Sequence, residues 1–229
     1  MSMPLGTSPI RQDRTADTTA GGISWLSFAQ CRERFRSRWP SVFRMPLVRD
    51  HYDPLTHAAL SARSLLDVGA TERVHEAKAR TRFPGIDYRS FDIDRTNRHD
   101  YHDFRDVDRQ FDIVTLIEVI EHLPHKDAVD LLAQCHSLCA PGGWFLASVP
   151  NVYTPGIQSE WTHVSSVHYL DLAGLLAWQG FEVMHGARVY HASKRLWLTH
   201  ARLLHALHRL MAVDYAQSVV MLARKPVKG

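Results

Sequence analysis

Two carboxylates and an imidazole stand together in Glu118-Val-Ile-Glu121-His122, and two more histidines, His163 and His168, follow further along the chain. An imidazole titrates close to neutrality, so His122, His163 and His168 are the candidates for a general base that takes the proton of a reacting hydroxyl. Glu118, Glu121 and His122 could also converge on a divalent ion. The plainer alternative is that Glu118 faces a bound ligand, Glu121 and His122 open the next helix, and each histidine satisfies local hydrogen bonds. Two further sites suit ligand binding. Asp67-Val-Gly69-Ala70 reads as a strand that turns at a glycine into a helix, and the backbone N–H groups of such a turn receive a negative group. Asp92 ends the next apolar run, with Asp94 behind it; a carboxylate there can accept from both hydroxyls of a ribose at once.

The elements that must position these residues follow from the apolar pattern. Ser64 to Gly69 is a short apolar run ending on glycine, as a buried parallel strand does at its turn. Thr71 is placed to cap a helix reaching about Phe83, with Glu72 in its first turn and Pro84-Gly85 as its stop. Asp87 to Asp94 reads as a second strand and Phe111 to Val119 as a third. Apolar residues then recur at helical spacing between Lys126 and Cys139, and Ala140-Pro-Gly-Gly143 breaks the repeat. Trp144 to Val149 reads as a strand, Leu170 to Gln179 as a helix, and Phe181 to Tyr190 and Ser218 to Arg224 as the last two strands. Strands alternating with helices imply right-handed βαβ units and a parallel sheet, with a ligand crevice at the carboxyl ends of the strands. Asp67, Gly69, Asp92, Asp94, Ile117, Glu118 and Asn151 all fall on that rim.

A chain of 229 residues, 45% apolar and 22% charged, has enough material for one sizeable α/β core and is neither fibrous nor wholly disordered. The net charge of +3 is too small to support general nucleic-acid binding. Fifteen histidines are the unusual feature of the composition. The three cysteines, Cys31, Cys135 and Cys139, form neither metal-ligand pairs nor a disulfide framework, which fits a reducing cytoplasmic setting. Cys135 and Cys139 lie on a helical repeat and are expected to face the core. No apolar run approaches the roughly 20 residues that span a bilayer, and the first residues lack a signal-peptide pattern.

With those elements in place, the chain resembles class I S-adenosylmethionine-dependent methyltransferases over residues 62–190. The resemblance rests on LLDVGA (65–70), YRSFDID (88–94), FDIVTLIEVIEHLP (111–124), CAPGGWFLASVPN (139–151) and LAGLLAWQGFEV (172–183), in that order. It implies a doubly wound α/β fold: a seven-stranded, mostly parallel sheet with an antiparallel last strand and helices on both faces. It implies S-adenosylmethionine as cofactor, with Asp67, Gly69 and Ala70 at the methionine end and Asp92 and Asp94 at the ribose. Asp100 and Tyr101 would lie near the adenine, and Ile117 and Glu118 would line the crevice. The first loop departs from the pattern. Where the family usually reads Asp-x-Gly-x-Gly-x-Gly, this chain reads Asp67-Val-Gly69-Ala-Thr71-Glu-Arg73, and each added Cβ obstructs close approach of a ligand. The Glu118-x-x-Glu121-His122 segment also resembles two metal-using branches, small-RNA 2′-O-methyltransferases and ubiquinone-pathway O-methyltransferases. On that likeness His168 would be a fourth ligand.

The flanks frame the expected domain. Residues 1–22 are expected to be a disordered arm, and residues 23–229 one methyltransferase domain with an N-terminal helical extension (23–61) and a helical insertion (193–216). Trp25 to Trp39 reads as a basic amphipathic helix ended by Pro40, covering an edge of the core. Ser193 to Met211 reads as another, which could cap the site, form a homodimer face, or make peripheral contact with an anionic membrane. The functional expectation is transfer of a methyl group to an oxygen or nitrogen of a small-molecule acceptor such as a glycan, lipid or secondary metabolite. The alternatives are a catalytically degenerate binding module, prompted by the missing glycines, and an RNA 2′-O-methyltransferase.

Overall fold

The computed structural model describes residues 25–227 apart from 57 and 192–204. The arm expected over 1–22 and the first part of the insertion expected over 193–216 lie outside the described residues. Seven strands form one sheet: β1 (Leu47–Val48), β2 (Ser64–Val68), β3 (Asp87–Phe91), β4 (Phe111–Ile117), β5 (Cys139–Pro150), β6 (Glu182–Val189) and β7 (Ser218–Arg224). Their order is β1-β6-β7-β5-β4-β2-β3. β7 is antiparallel to both β5 and β6, and the other pairings are parallel. The order reverses between β2 and β4, which sets a crevice at their carboxyl ends.

Alternation along the strands explains the layers. Phe145, Ala147 and Val149 of β5 and Val219, Met221 and Ala223 of β7 join one apolar cluster, while Leu146, Val220 and Leu222 between them join the other. The first cluster is covered by α3 (His125–Leu138), through Ala128, Leu132 and Cys135, and by α4 (Tyr169–Trp178), through Leu172, Ala173 and Leu176. The second is covered by α2 (Glu76–Arg82), through Ala79, and by Tyr52 and Leu55. Helices therefore lie on both faces, and Cys135 and Cys139 are buried as expected.

Several boundaries differ from the sequence reading, each for a local reason. The helix after β2 begins at Glu76 rather than at Thr71. Thr71 and Arg73 adopt positive φ (48° and 57°), which no right-handed helix accommodates. β3 ends at Phe91 and β4 at Ile117, where Glu118 turns to φ 54°. Ala140 to Gly143 follow the end of α3, as expected, but belong to β5, which starts at Cys139 rather than Trp144: Gly142 N–H donates to Lys225 O at 2.8 Å, Lys225 N–H donates to Gly143 O at 2.9 Å, and the irregularity is absorbed as a register shift opposite Phe111–Ile113.

The N-terminal segment 23–61 is more than a helical extension. It supplies β1, paired with β6, and buries Trp39, Val42, Met45, Tyr52 and Leu55. The seventh strand therefore comes from this segment. α1 (Trp25–Arg36) lies along α4, where a Cβ on Gly174 would come within 3.3 Å of the Arg32 backbone and Arg32 Nε pairs with Asp171 at 2.9 Å. The edge of the core that it covers is α4. Of the insertion, α5 (His205–Met211) is described, and residues 213–217 are not helical.

Candidate active site

The loops after β2, β3 and β4 interlock at the switch point. Gly69 has φ 73°, and both its N–H and that of Ala70 donate to Phe91 O, at 2.9 and 3.1 Å. Thr71 N–H donates to Asp92 Oδ2 at 2.9 Å, and Asp94 N–H to Asp92 Oδ1 at 2.9 Å. Each oxygen of Asp92 thus holds one bond from the protein and keeps a lone pair for another donor. Asp94 is exposed and closes its own turn, accepting from the N–H and hydroxyl of Thr96, both at 2.8 Å. Ala70 is buried beneath the loop.

Other expected site residues serve the scaffold. Asp67 is 1% exposed, and its oxygens accept from Tyr88 and Thr115 hydroxyls, each at 2.7 Å, while burial raises its pKa. That carboxyl ties β2 to β3 and β4. Asp100 accepts from Ser90 N–H and Oγ, both at 3.0 Å, and pairs with Arg89 at 3.1 Å and Arg73 at 3.3 Å. Tyr101 bridges Phe91 and is half-buried. Ile117 is buried in the apolar cluster under α2.

Glu118 sits at the end of β4 in a left-handed conformation that a side chain rarely adopts, a form of strain found at binding sites. Ser148 Oγ donates to its Oε1 at 2.6 Å, and His51 Nε2 lies 4.0 Å from the same oxygen. Desolvation, and next the charge of Glu121, push its pKa up to about 8. His51 brings a group that the sequence reading missed. Its ring centroid is 5.9 Å from that of His75 and 5.2 Å from that of His191. These residues follow β1, precede α2 and follow β6, and no spacing links them; the high histidine content was the one available signal.

A second cluster lies along the lip beyond β4. Glu121 is 1% exposed, and neither carboxyl oxygen has a hydrogen-bond partner among the described residues; burial pushes its pKa up to about 7. His122 Nε2 is 3.8 Å from Glu121 Oε1, and the rings of His122 and His163 meet edge to face at 4.9 Å. Glu121, His122 and His163 can bring one ligand atom each within 4.8 Å of the others. Glu121 and His163 also line a cleft of about 230 Å³ with Pro150, Val152 and Ile157. The four residues weighed as an alternative ion-binding group, Glu118, Glu121, His122 and His168, are therefore not brought together as a set. His168 caps α4, its Nδ1 accepting from Leu170 N–H at 3.2 Å, and its Nε2 is 3.1 Å from Tyr153 Oη. His163 takes the place expected of His168, and Glu118 turns toward Ser148.

A family model described as a methyltransferase domain matches residues 43–208. The chain belongs to that family. Its cofactor is S-adenosylmethionine, and the Asp92 carboxylate after β3, with a lone pair left on each oxygen, is of the kind its ribose requires. The chain is 30% identical over 121 residues to a probable S-adenosylmethionine-dependent methyltransferase of Mycolicibacterium smegmatis, a match covering 51% of this chain and 43% of that relative. It thus spans less than half the length of the curated relative it matches. Among solved structures it is similar to an S-adenosylmethionine-dependent methyltransferase from Archaeoglobus fulgidus (TM-score 0.52, 18% identity, 86% of this chain and 94% of that one). It is also similar to a putative methyltransferase of Haloferax volcanii solved with its Trm112 activator (TM-score 0.55, 13% identity, 89% and 98%). At such identities the likeness shows the fold. Among the described residues of this methyltransferase domain, no helix is long and apolar enough to cross a membrane.

Proposed function

We propose that this methyltransferase domain transfers the methyl group of S-adenosylmethionine to an oxygen or nitrogen atom of a small molecule. The observation that carries the reading is the meeting of three strand ends, with Thr71 N–H on the Asp92 carboxylate and Gly69 packed against Val119, next to Glu118. When bound, the cofactor supplies an electrophilic methyl group on a positively charged sulfur. Asp92, held by Thr71 and Asp94, accepts the ribose hydroxyls with its remaining lone pairs. Glu118, on the strained corner after β4, faces the charged end. The acceptor enters by the cleft beside β5, and His163, which lines it, takes the proton of a hydroxyl acceptor. Most of the acceleration then comes from holding the acceptor in line with the methyl group. Calorimetric titration with S-adenosylmethionine and S-adenosylhomocysteine, followed by transfer of a labelled methyl group to a panel of hydroxyl and amine compounds, tests this. Binding of both nucleosides is expected; absence of heat with either on folded protein overturns the reading.

The unpartnered oxygens of Glu121 favour a second reading, in which methyl transfer to a hydroxyl is assisted by a divalent ion. Glu121, His122 and His163 would hold it, and it would supply Lewis acidity toward the acceptor oxygen. His122 Nδ1 is 3.1 Å from Thr162 O, so an N–H there leaves Nε2 as the ligand atom. Manganese and zinc titrations followed by thermal melting should raise the midpoint of the wild type and leave Glu121→Gln unmoved. Equal responses of the two proteins reject this reading.

A further inference from the structure

The loop after β2 has little left to offer a ligand. Gly69 and Ala70 N–H groups are donated to Phe91 O, Thr71 N–H to Asp92, and Arg73 N–H turns back to Ala70 O at 2.6 Å. Beside that loop, four buried polar atoms have no hydrogen-bond partner among the described residues: Nδ1 and Nε2 of His51, Nδ1 of His75 and the hydroxyl of Tyr52. They form one cluster. His51 and His75 rings are 5.9 Å apart, Tyr52 and His75 rings 6.1 Å, and His51 Nε2 is 4.0 Å from Glu118. His51 is 5% exposed and Tyr52 fully buried. Buried polar atoms are nearly always paired, so four unpaired together imply an occupant with matching chemistry.

The donor set narrows that chemistry. A neutral imidazole offers one N–H and one lone pair, and a phenol offers an O–H. With His75 Nδ1 protonated, the four atoms present three donors and one ring acceptor, with the Glu118 carboxyl alongside. A simple anion would call for a free cationic side chain, and among the described residues the lysine whose charge reaches His51, Lys78, is paired with Asp50 at 3.0 Å. A simple cation would call for bare carboxylates, but Asp67 is bound by Tyr88 and Thr115. An amino-acid terminus needs both kinds of partner, donors for its carboxylate and acceptors for its ammonium.

We propose that His51, His75 and Tyr52 hold the amino-acid end of the cofactor, the carboxylate on their N–H and O–H groups and the ammonium toward Glu118. They take the place of the backbone donors that the glycine-poor loop has spent. The proposal rests on reading the crevice as the S-adenosylmethionine site. Burial, which keeps His51 neutral, preserves the donor-plus-acceptor character that the role needs.

The test is calorimetric titration of the full chain with S-adenosylhomocysteine and with 5′-methylthioadenosine, which keeps the nucleoside and lacks the amino-acid end. In His51→Phe, His75→Leu and Tyr52→Phe, affinity for S-adenosylhomocysteine should fall tenfold or more while that for 5′-methylthioadenosine stays within twofold. His51→Phe keeps the bulk of the ring and removes both unpaired nitrogens, so its ligand-free melting midpoint should match or exceed the wild type's. If that variant does not fold, His75→Leu, at a half-buried position, and Tyr52→Phe carry the test. Unchanged affinity for S-adenosylhomocysteine, or parallel loss of both ligands, overturns the proposal. A wild type that binds neither compound overturns the cofactor site itself, and the proposal with it.

Discussion

Gly69 and Val119 belong to different loops, yet a Cβ placed on the glycine would lie 2.4 Å from Val119 Cγ2. The glycine also has φ 73°, where a side chain is strained in any surroundings. Gly69→Ala should therefore destabilise the fold by about 2–4 kcal/mol, combining left-handed strain with overpacking. Urea unfolding measures this. A loss below about 1 kcal/mol would mean that Val119 moves aside freely.

Asp92 supports a prediction distinct from that for the histidines. Both S-adenosylhomocysteine and 5′-methylthioadenosine carry the ribose, so Asp92→Ala should weaken binding of both by tenfold or more. Two hydrogen bonds to the loops are lost as well, at about 1 kcal/mol each. Unequal loss, confined to S-adenosylhomocysteine, would move the ribose away from Asp92.

His51 should make a contribution to stability that is lost on mild acidification. Burial, then the neighbouring His191 and His75, push the pKa of His51 down to about 3, against 6.5 in the unfolded chain. Between those values the unfolded state binds the extra proton, so stability is full above pH 6.5 and is lost as pH falls toward 3. From pH 7 to pH 5 the expected loss is about 2 kcal/mol from this residue. His75 and His191, both shifted downward, act in the same direction. Between pH 7 and pH 5 His51→Phe should gain about 2 kcal/mol of unfolding free energy relative to the wild type in urea titrations; the raised pKa values of Glu118 and Glu121 act in the opposite direction in both proteins and drop out of the difference.

Arg188 and Asp214 form a buried pair, 5% and 3% exposed, with Nη1 at 3.0 and 3.1 Å from the two carboxylate oxygens. Arg188 Nε also donates to Met45 O at 3.2 Å, and Asn151 Nδ2 to Asp214 at 3.0 Å, so the pair joins β6, the N-terminal segment and the end of β5. Arg188→Ala leaves a buried carboxylate without its cation and should cost about 3–5 kcal/mol in urea unfolding. A double change with Asp214→Asn should cost clearly less than the two single changes added together.

Much of the sheet was legible because apolar alternation and strand-to-glycine turns are local signals. β2 and β7 lie where the pattern put them, and α3 and α4 within a residue of it. Errors fell where distant contacts decide conformation. Ala140-Pro-Gly-Gly143 ends the helical repeat as it reads but looks like a loop before β5 until Lys225 pairs across from it, and Thr71 looks like a helix cap until Asp92 takes its N–H. The edge strand at Leu47–Val48 is too short to carry a period and exists because β6 has an open side.

The sequence by itself determined the class of sheet, the order of the strand-end loops and the carboxylates they carry, since these follow from periodicity and turn chemistry within short windows. Only the tertiary structure decided which polar groups share a space. It set His163 rather than His168 beside Glu121, committed Asp67 to Tyr88 and Thr115, and gathered His51, His75 and His191 near Glu118. The reason is geometric: β1, α2 and β6 are far apart in the chain, and their ends meet only when the sheet closes.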